Sequence, residues 1–186
     1  MLFLEEIWSR NFTNLFIAPL KLKEIIVALI FTALVRTLIG LVPAIILTAP
    51  LFGVSIFKLG FPLFLLFLSL YAFGITLGLL VVSGLLRYGP AFENVAWSSL
   101  FLLAPLGCIY YPLSILPDGL QLLAKALPLV YIFEEVRSIL LNNIVNYNNI
   151  LTALMLNLIY FTISITVFYS AFREARKRGT LINVGE

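Results

Sequence analysis

The sequence predicts an all-α membrane protein: four transmembrane helices, an N-terminal amphipathic interfacial helix and an external re-entrant helical hairpin. Three observations carry that prediction. Of 186 residues, 62% are hydrophobic and 11% charged, where a soluble domain carries roughly 25% charged residues; mean hydropathy is +1.09. Four apolar stretches approach or exceed the roughly 20 residues that a membrane-spanning helix needs. A further apolar stretch, 111–142, is cut by Pro112, Pro117 and Pro128 into pieces too short to span. At this length a single domain, 1–186, is expected.

Residues 1–24 read as a cytoplasmic amphipathic segment. Over 1–18, Leu4, Ile7, Trp8, Phe12, Leu15 and Phe16 fall on one side and Glu5, Glu6, Arg10 and Asn14 largely on the other, with Pro19 ending the pattern. Tryptophan and phenylalanine suit an interfacial depth. The spans follow at about 25–50, 61–86, 94–111 and 150–172. Pro43 and Pro105 are expected to kink the first and third. Lys58 lies in the first loop, Arg87 to Glu93 form the next turn, and Asn142 to Asn149 link the hairpin to the last span.

Within the hairpin, 112–141, only ten residues separate Pro117 from Pro128, and they include Asp118 and Lys125. Beyond Pro128, Leu129, Ile132, Phe133, Val136 and Leu140 recur at helical spacing, with Glu134, Glu135, Arg137 and Ser138 largely on the opposite face. Two short helices that enter and leave on one side fit this pattern. Irregular backbone at membrane depth survives only where protein or water covers it, so the spans should wrap around the hairpin. The alternative is a pair of helices lying flat on the membrane surface.

Orientation follows from the basic residues, which favour the cytoplasmic side. With both termini inside, Arg10, Lys21, Lys23, Arg87, Arg173, Arg176, Lys177 and Arg178 are cytoplasmic, and Lys58, Lys125 and Arg137 are outside. Residues 173–186 then form a basic cytoplasmic tail. The Asn11-Phe12-Thr13 glycosylation pattern is discounted because this orientation places it inside.

Arg36 is the one charge deep within a span. Near mid-membrane an arginine costs at least about 2.5–3.5 kcal/mol unless it faces a cavity, a partner or another subunit. It is either a residue of a translocation path or structural, half of a buried ion pair or a snorkelling side chain. Gly74 and Gly78 form a GxxxG pattern suited to helix packing, expected within this chain rather than between copies. Asn157 is expected to bond across helices. Glu134 and Arg137, three apart, are placed to pair. If that pair sits in a partly dehydrated gate, losing Glu134 alone should harm more than losing both, because the arginine is then stranded.

The chain has no histidine, one cysteine (Cys108) and one aspartate (Asp118). That leaves neither the usual general base nor an acidic cluster for Mg²⁺, and no phosphate-binding GxxxxGK[ST] loop is present. No catalytic residue, metal or cofactor is expected, and nothing calls for nucleic acid.

Three segments resemble the membrane-spanning subunit of ABC-2 type exporters. One is RNFTNLFIAPLKLKEII (10–26); another is the closing span with its basic tail. The most specific is YYPLSILPDGLQLLAKALPLVYIFEEVRSIL (110–140), similar to the family's PLS-x-LP and LP-x-x-Y-x-x-E-x-x-R signature. Here Pro112, Leu113, Ser114, Leu116, Pro117, Leu127, Pro128, Tyr131, Glu134 and Arg137 carry it. The resemblance implies a permease for a lipid, polysaccharide or drug-like substrate, working in the cell membrane with a separate ABC-type ATPase and a second permease copy or companion chain. It makes Pro117, Pro128, Tyr131, Glu134 and Arg137 candidate gate residues, and Glu5, Glu6 and Arg10 a candidate ATPase contact. Family members usually have six spans, so a partial reading frame or a neighbouring chain supplying the rest is expected. A non-transporting membrane anchor or scaffold is the alternative, and a lipid-acting membrane enzyme is disfavoured by the missing acid–base groups.

Overall fold

A computed structural model describes residue 5 and residues 22–52 and 60–178. The expected helix over 1–18 (apart from Glu5), the Lys58 loop and the end of the tail lie outside the described residues. Among those described, all regular structure is helical: α1 (Leu22–Phe52), α2 (Phe61–Tyr88), α3 (Phe92–Leu106), a single 3-10 turn (Leu113–Ile115), α4 (Asp118–Ala124), α5 (Pro128–Asn142) and α6 (Tyr147–Arg178). Three of these contain stretches long and apolar enough to cross a membrane: Ile26–Thr48, Phe61–Tyr88 and Tyr147–Arg178. In α1, Thr37 and Thr48 donate to the carbonyls of Ala33 (2.8 Å) and Ala44 (2.7 Å). Such back-bonding satisfies hydroxyls where water is scarce.

The stretch read as a third span, 94–111, is helical only as far as Leu106. Fifteen residues reach about 22 Å, short of a hydrocarbon core of about 30 Å. The helix stops because Cys108 takes a left-handed φ of 53° and Gly107 passes close to α5. A Cβ on Gly107 would lie 2.9 Å from both the Leu103 carbonyl oxygen and a Leu129 methyl.

The chain forms two compact units. Of the described residues, one comprises 5, 22–52, 78–93 and 166–178; the other comprises 60–77 and 94–165. In the first, Leu85, Leu86, Phe168, Ala171 and Ala175 make a buried cluster, with Ile26, Phe92 and Phe172 packed on it. Gly89 closes α2 with φ 75°, its amide donating to the Leu85 carbonyl at 2.9 Å; glycine alone takes that conformation without a steric cost. Glu174 bonds Arg178 one turn on and pairs with Arg87 at 3.5 Å.

The tight glycine of this unit is Gly84. A Cβ there would fall 2.1 Å from the Phe92 ring, whereas one at Gly74 or Gly78 would find nothing within 4 Å. The GxxxG pattern therefore marks no packing seam among the described residues, and close approach occurs at a glycine outside it. Gly84→Ala should destabilise by about 1–3 kcal/mol through overpacking, and Phe92→Ala in the same chain should relieve part of that loss. Gly74→Ala should be neutral or stabilising by about 0.5–1 kcal/mol, since it removes a mid-helix glycine. Thermal unfolding midpoints in detergent measure all three.

The second unit holds α4 and α5. Leu66, Ile132, Ile139, Ile150 and Ala153 form one cluster and Cys108, Ala124 and Val130 another. Buried Asn157 bridges α6 to α2 as expected, its amide donating to the Ser69 carbonyl (2.9 Å) and hydroxyl (2.7 Å).

Candidate functional site

The site is built on α5 and the turns it holds. Pro117 is the N-cap of α4, its carbonyl accepting from Leu120 and Gln121 at 2.9 and 3.0 Å. Pro128 opens α5, where its fixed φ fits and its missing amide is no loss. The two prolines thus fall at the breaks expected of them. Gln121 donates to the Leu116 carbonyl (2.8 Å) and Tyr160 to the Ala126 carbonyl (3.0 Å), satisfying backbone groups at both bends of the hairpin. Tyr131, half-buried, packs on the cluster around Ile132 and Ile150.

Glu134 and Arg137 pair at 2.7 Å, with side chains 32% and 23% exposed. The pair reaches beyond itself. Glu134 Oε1 also accepts from the Leu113 amide at 2.8 Å, satisfying the start of the 3-10 turn. Arg137 Nη2 donates to the carbonyls of Cys108 (2.9 Å) and Tyr111 (3.1 Å). An arginine fork suits such multiple acceptance. Together the two side chains fasten residues 108–113, the chain between α3 and the hairpin, onto α5. Charge-assisted bonds of this kind are roughly twice as strong as neutral ones.

Glu135 departs from the sequence expectation. Helical periodicity puts it on the polar face with Glu134, yet it is fully buried. The buried side of α5 is Pro128, Leu129, Val130, Ile132, Glu135 and Ile139, while Leu140, expected among them, is exposed. A buried carboxylate needs donors, and Glu135 has two: the Asn146 amide at 2.6 Å and the Asn149 side-chain amide at 3.0 Å. Ser138 adds a bond to the Ile144 carbonyl at 3.1 Å. Asn143 ends α5 in a left-handed conformation, φ 54°, which asparagine tolerates. Adjacent glutamates therefore hold opposite flanks of the hairpin: Glu134 the chain before it, Glu135 the start of α6.

The remaining candidates lie elsewhere. Arg36 is in α1, and its Nη1 donates to Glu5 Oε2 at 2.5 Å, the side chains 56% and 44% exposed. Glu5, expected to meet an ATPase, has its carboxylate engaged within the chain. Glu6 and Arg10 lie outside the described residues. The structure brings together Glu134 and Arg137 with the Pro117 and Pro128 bends, and Arg36 with Glu5; Glu135 is the residue that sequence reasoning missed. Two consecutive glutamates beside an asparagine-rich link were the available signal.

Three helices long and apolar enough to cross a membrane define a helical membrane protein. The chain belongs to the ABC-2 type transporter family, whose model matches residues 1–141. Neither the curated proteins nor the solved structures provide a match.

Proposed function

We propose that this chain is the permease subunit of an ATP-driven ABC-2 type exporter, forming the translocation path for a lipid, polysaccharide or drug-like substrate. Residues 112–141 act as an external re-entrant gate among three long spans, at about 25–50, 61–86 and 150–172, and a shorter crossing at about 94–111 in which α3 is continued by the non-helical residues 107–111. Both termini are cytoplasmic in the cell membrane. A separate ABC-type ATPase supplies the energy, and a second permease copy or companion chain completes the path. The observation that carries the reading is the clamp of Glu134 and Arg137 on residues 108–113, in a chain of this family. Charged side chains fastening irregular backbone beside apolar helices suit a gate that must be held shut and released as a unit.

Single cysteines at Lys58, Lys125 and Lys177 in a Cys108→Ser background test the orientation. The first two should react with an impermeant thiol reagent from outside intact cells, and the third should not. With the ATPase present, ATP should change the reaction rate at position 125 by about threefold or more, on the order of a 0.7 kcal/mol shift in gate population. Labelling at 177 overturns the orientation. Capture of an ATPase without any effect of ATP at 125 favours a scaffold that does not transport.

A further inference from the structure

Arg36 lies about 15 Å along α1 from Ile26 and about 18 Å from Thr48, at roughly 1.5 Å per residue. These residues bound the first apolar stretch, so Arg36 stands near the middle of it. A structural ion pair at that depth would be covered by neighbouring helices. Here none of that stretch's most apolar window is buried within the chain, and both members of the pair keep much of their surface, 56% and 44%. Gly40, four residues on and so next to Arg36 on the helix surface, has nothing within 4 Å of where a side chain would begin. Among the described residues, nothing crowds this flank of α1. Glu5 lies 31 residues before Arg36 in the chain and outside α1, so the acid can leave without unwinding that helix.

The geometry points to Arg36 as a mid-membrane site for an anionic oxygen group of the cargo, phosphate or carboxylate, with Glu5 as the internal counter-ion that occupies it until cargo displaces it. The chemistry is that of the pair observed. A guanidinium presents five N–H donors in a planar fork that matches carboxylate and phosphate alike. The carboxylate of Glu5 accepts from one nitrogen at 2.5 Å, standing where a cargo oxygen would. An arginine at this depth must always be compensated, so an acid that yields only to another anion keeps the site neutral in both states. Calling the bound anion cargo rests on the permease reading; the binding itself does not.

The full chain, reconstituted without ATPase in phosphatidylcholine vesicles, tests this with spin-labelled phosphatidylglycerol as probe and spin-labelled phosphatidylcholine as reference. If Glu5 holds the site about nine-tenths of the time, Glu5→Gln raises the selective association of phosphatidylglycerol about tenfold, since apparent affinity scales with the free fraction. Arg36→Gln abolishes the selectivity, and Arg36→Lys retains part of it. Competition by inorganic phosphate then assigns recognition to the free phosphate group, and lack of competition assigns it to the lipid-borne headgroup. Unchanged association in Glu5→Gln overturns the proposal, as does selectivity that survives Arg36→Gln; if Arg36→Gln fails to reconstitute, Glu5→Gln decides alone. Because the probe needs no ATP, selectivity without ATP-driven gating would sink the permease reading and leave the anion site standing.

Discussion

Asn149→Asp should be among the most damaging single changes in the hairpin region, costing about 3–5 kcal/mol, the scale of an uncompensated buried charge. The Asn149 side-chain amide donates to Glu135 Oε2 at 3.0 Å, and Glu135 is fully buried. The change replaces a donor by a second carboxylate at hydrogen-bond distance, and like charges that close cannot both be tolerated. Adding Glu135→Gln should recover most of the loss. The new carboxamide can accept from the Asn146 amide, now at 2.6 Å from Glu135, and donate to the new carboxylate. Glu135→Gln alone should cost only about 1 kcal/mol, the scale of one exchanged hydrogen bond, because Asn149 can turn its amide to present oxygen. The measurement is the thermal unfolding midpoint and monodisperse yield of the three variants. Additive losses would mean that the contact does not hold the start of α6.

That contact also marks the limit of what the chain discloses. The breaks in 112–141 were legible because proline acts locally: a fixed φ and a missing amide at Pro117 and Pro128 set them whatever surrounds them. The buried side of α5 was not. Helical periodicity assigns glutamate to the polar face, and Glu135 is satisfied by donors 11 and 14 residues away, in a linker with no periodicity to read. The end of α3 was overrun for the same kind of reason. An apolar run continues to Tyr111, while the turn is held by Arg137 from 26 and 29 residues away. Glycine misled in another way. A motif drew attention to Gly74 and Gly78, whereas the close approaches are at Gly84 and Gly107, set by Phe92 and Leu129 in three dimensions.

The same geometry reverses a prediction made from spacing. A lone pair of charges implies that losing Glu134 strands Arg137, so that the double variant is the milder one. Arg137, however, keeps the Cys108 and Tyr111 carbonyls when Glu134 is removed. The Leu113 amide then loses its acceptor, and Glu134→Ala should cost about 1–2 kcal/mol. Arg137→Ala removes the donor to two carbonyls and leaves the Glu134 carboxylate a single amide, so it should cost about 2–4 kcal/mol; the pair is only partly exposed, which limits solvent's compensation. The double variant should resemble Arg137→Ala, less damaging than the sum, with a coupling of about 1–2 kcal/mol. Arg137→Lys should fall between, because an ammonium lacks the planar fork that spans two carbonyls and a carboxylate. A double-mutant cycle on unfolding, repeated on ATP-dependent thiol reactivity at position 125, reads both stability and gating. Should Glu134→Ala prove the more harmful single change, Arg137 is not the residue that fastens 108–113, and the hairpin must be held by its apolar contacts instead.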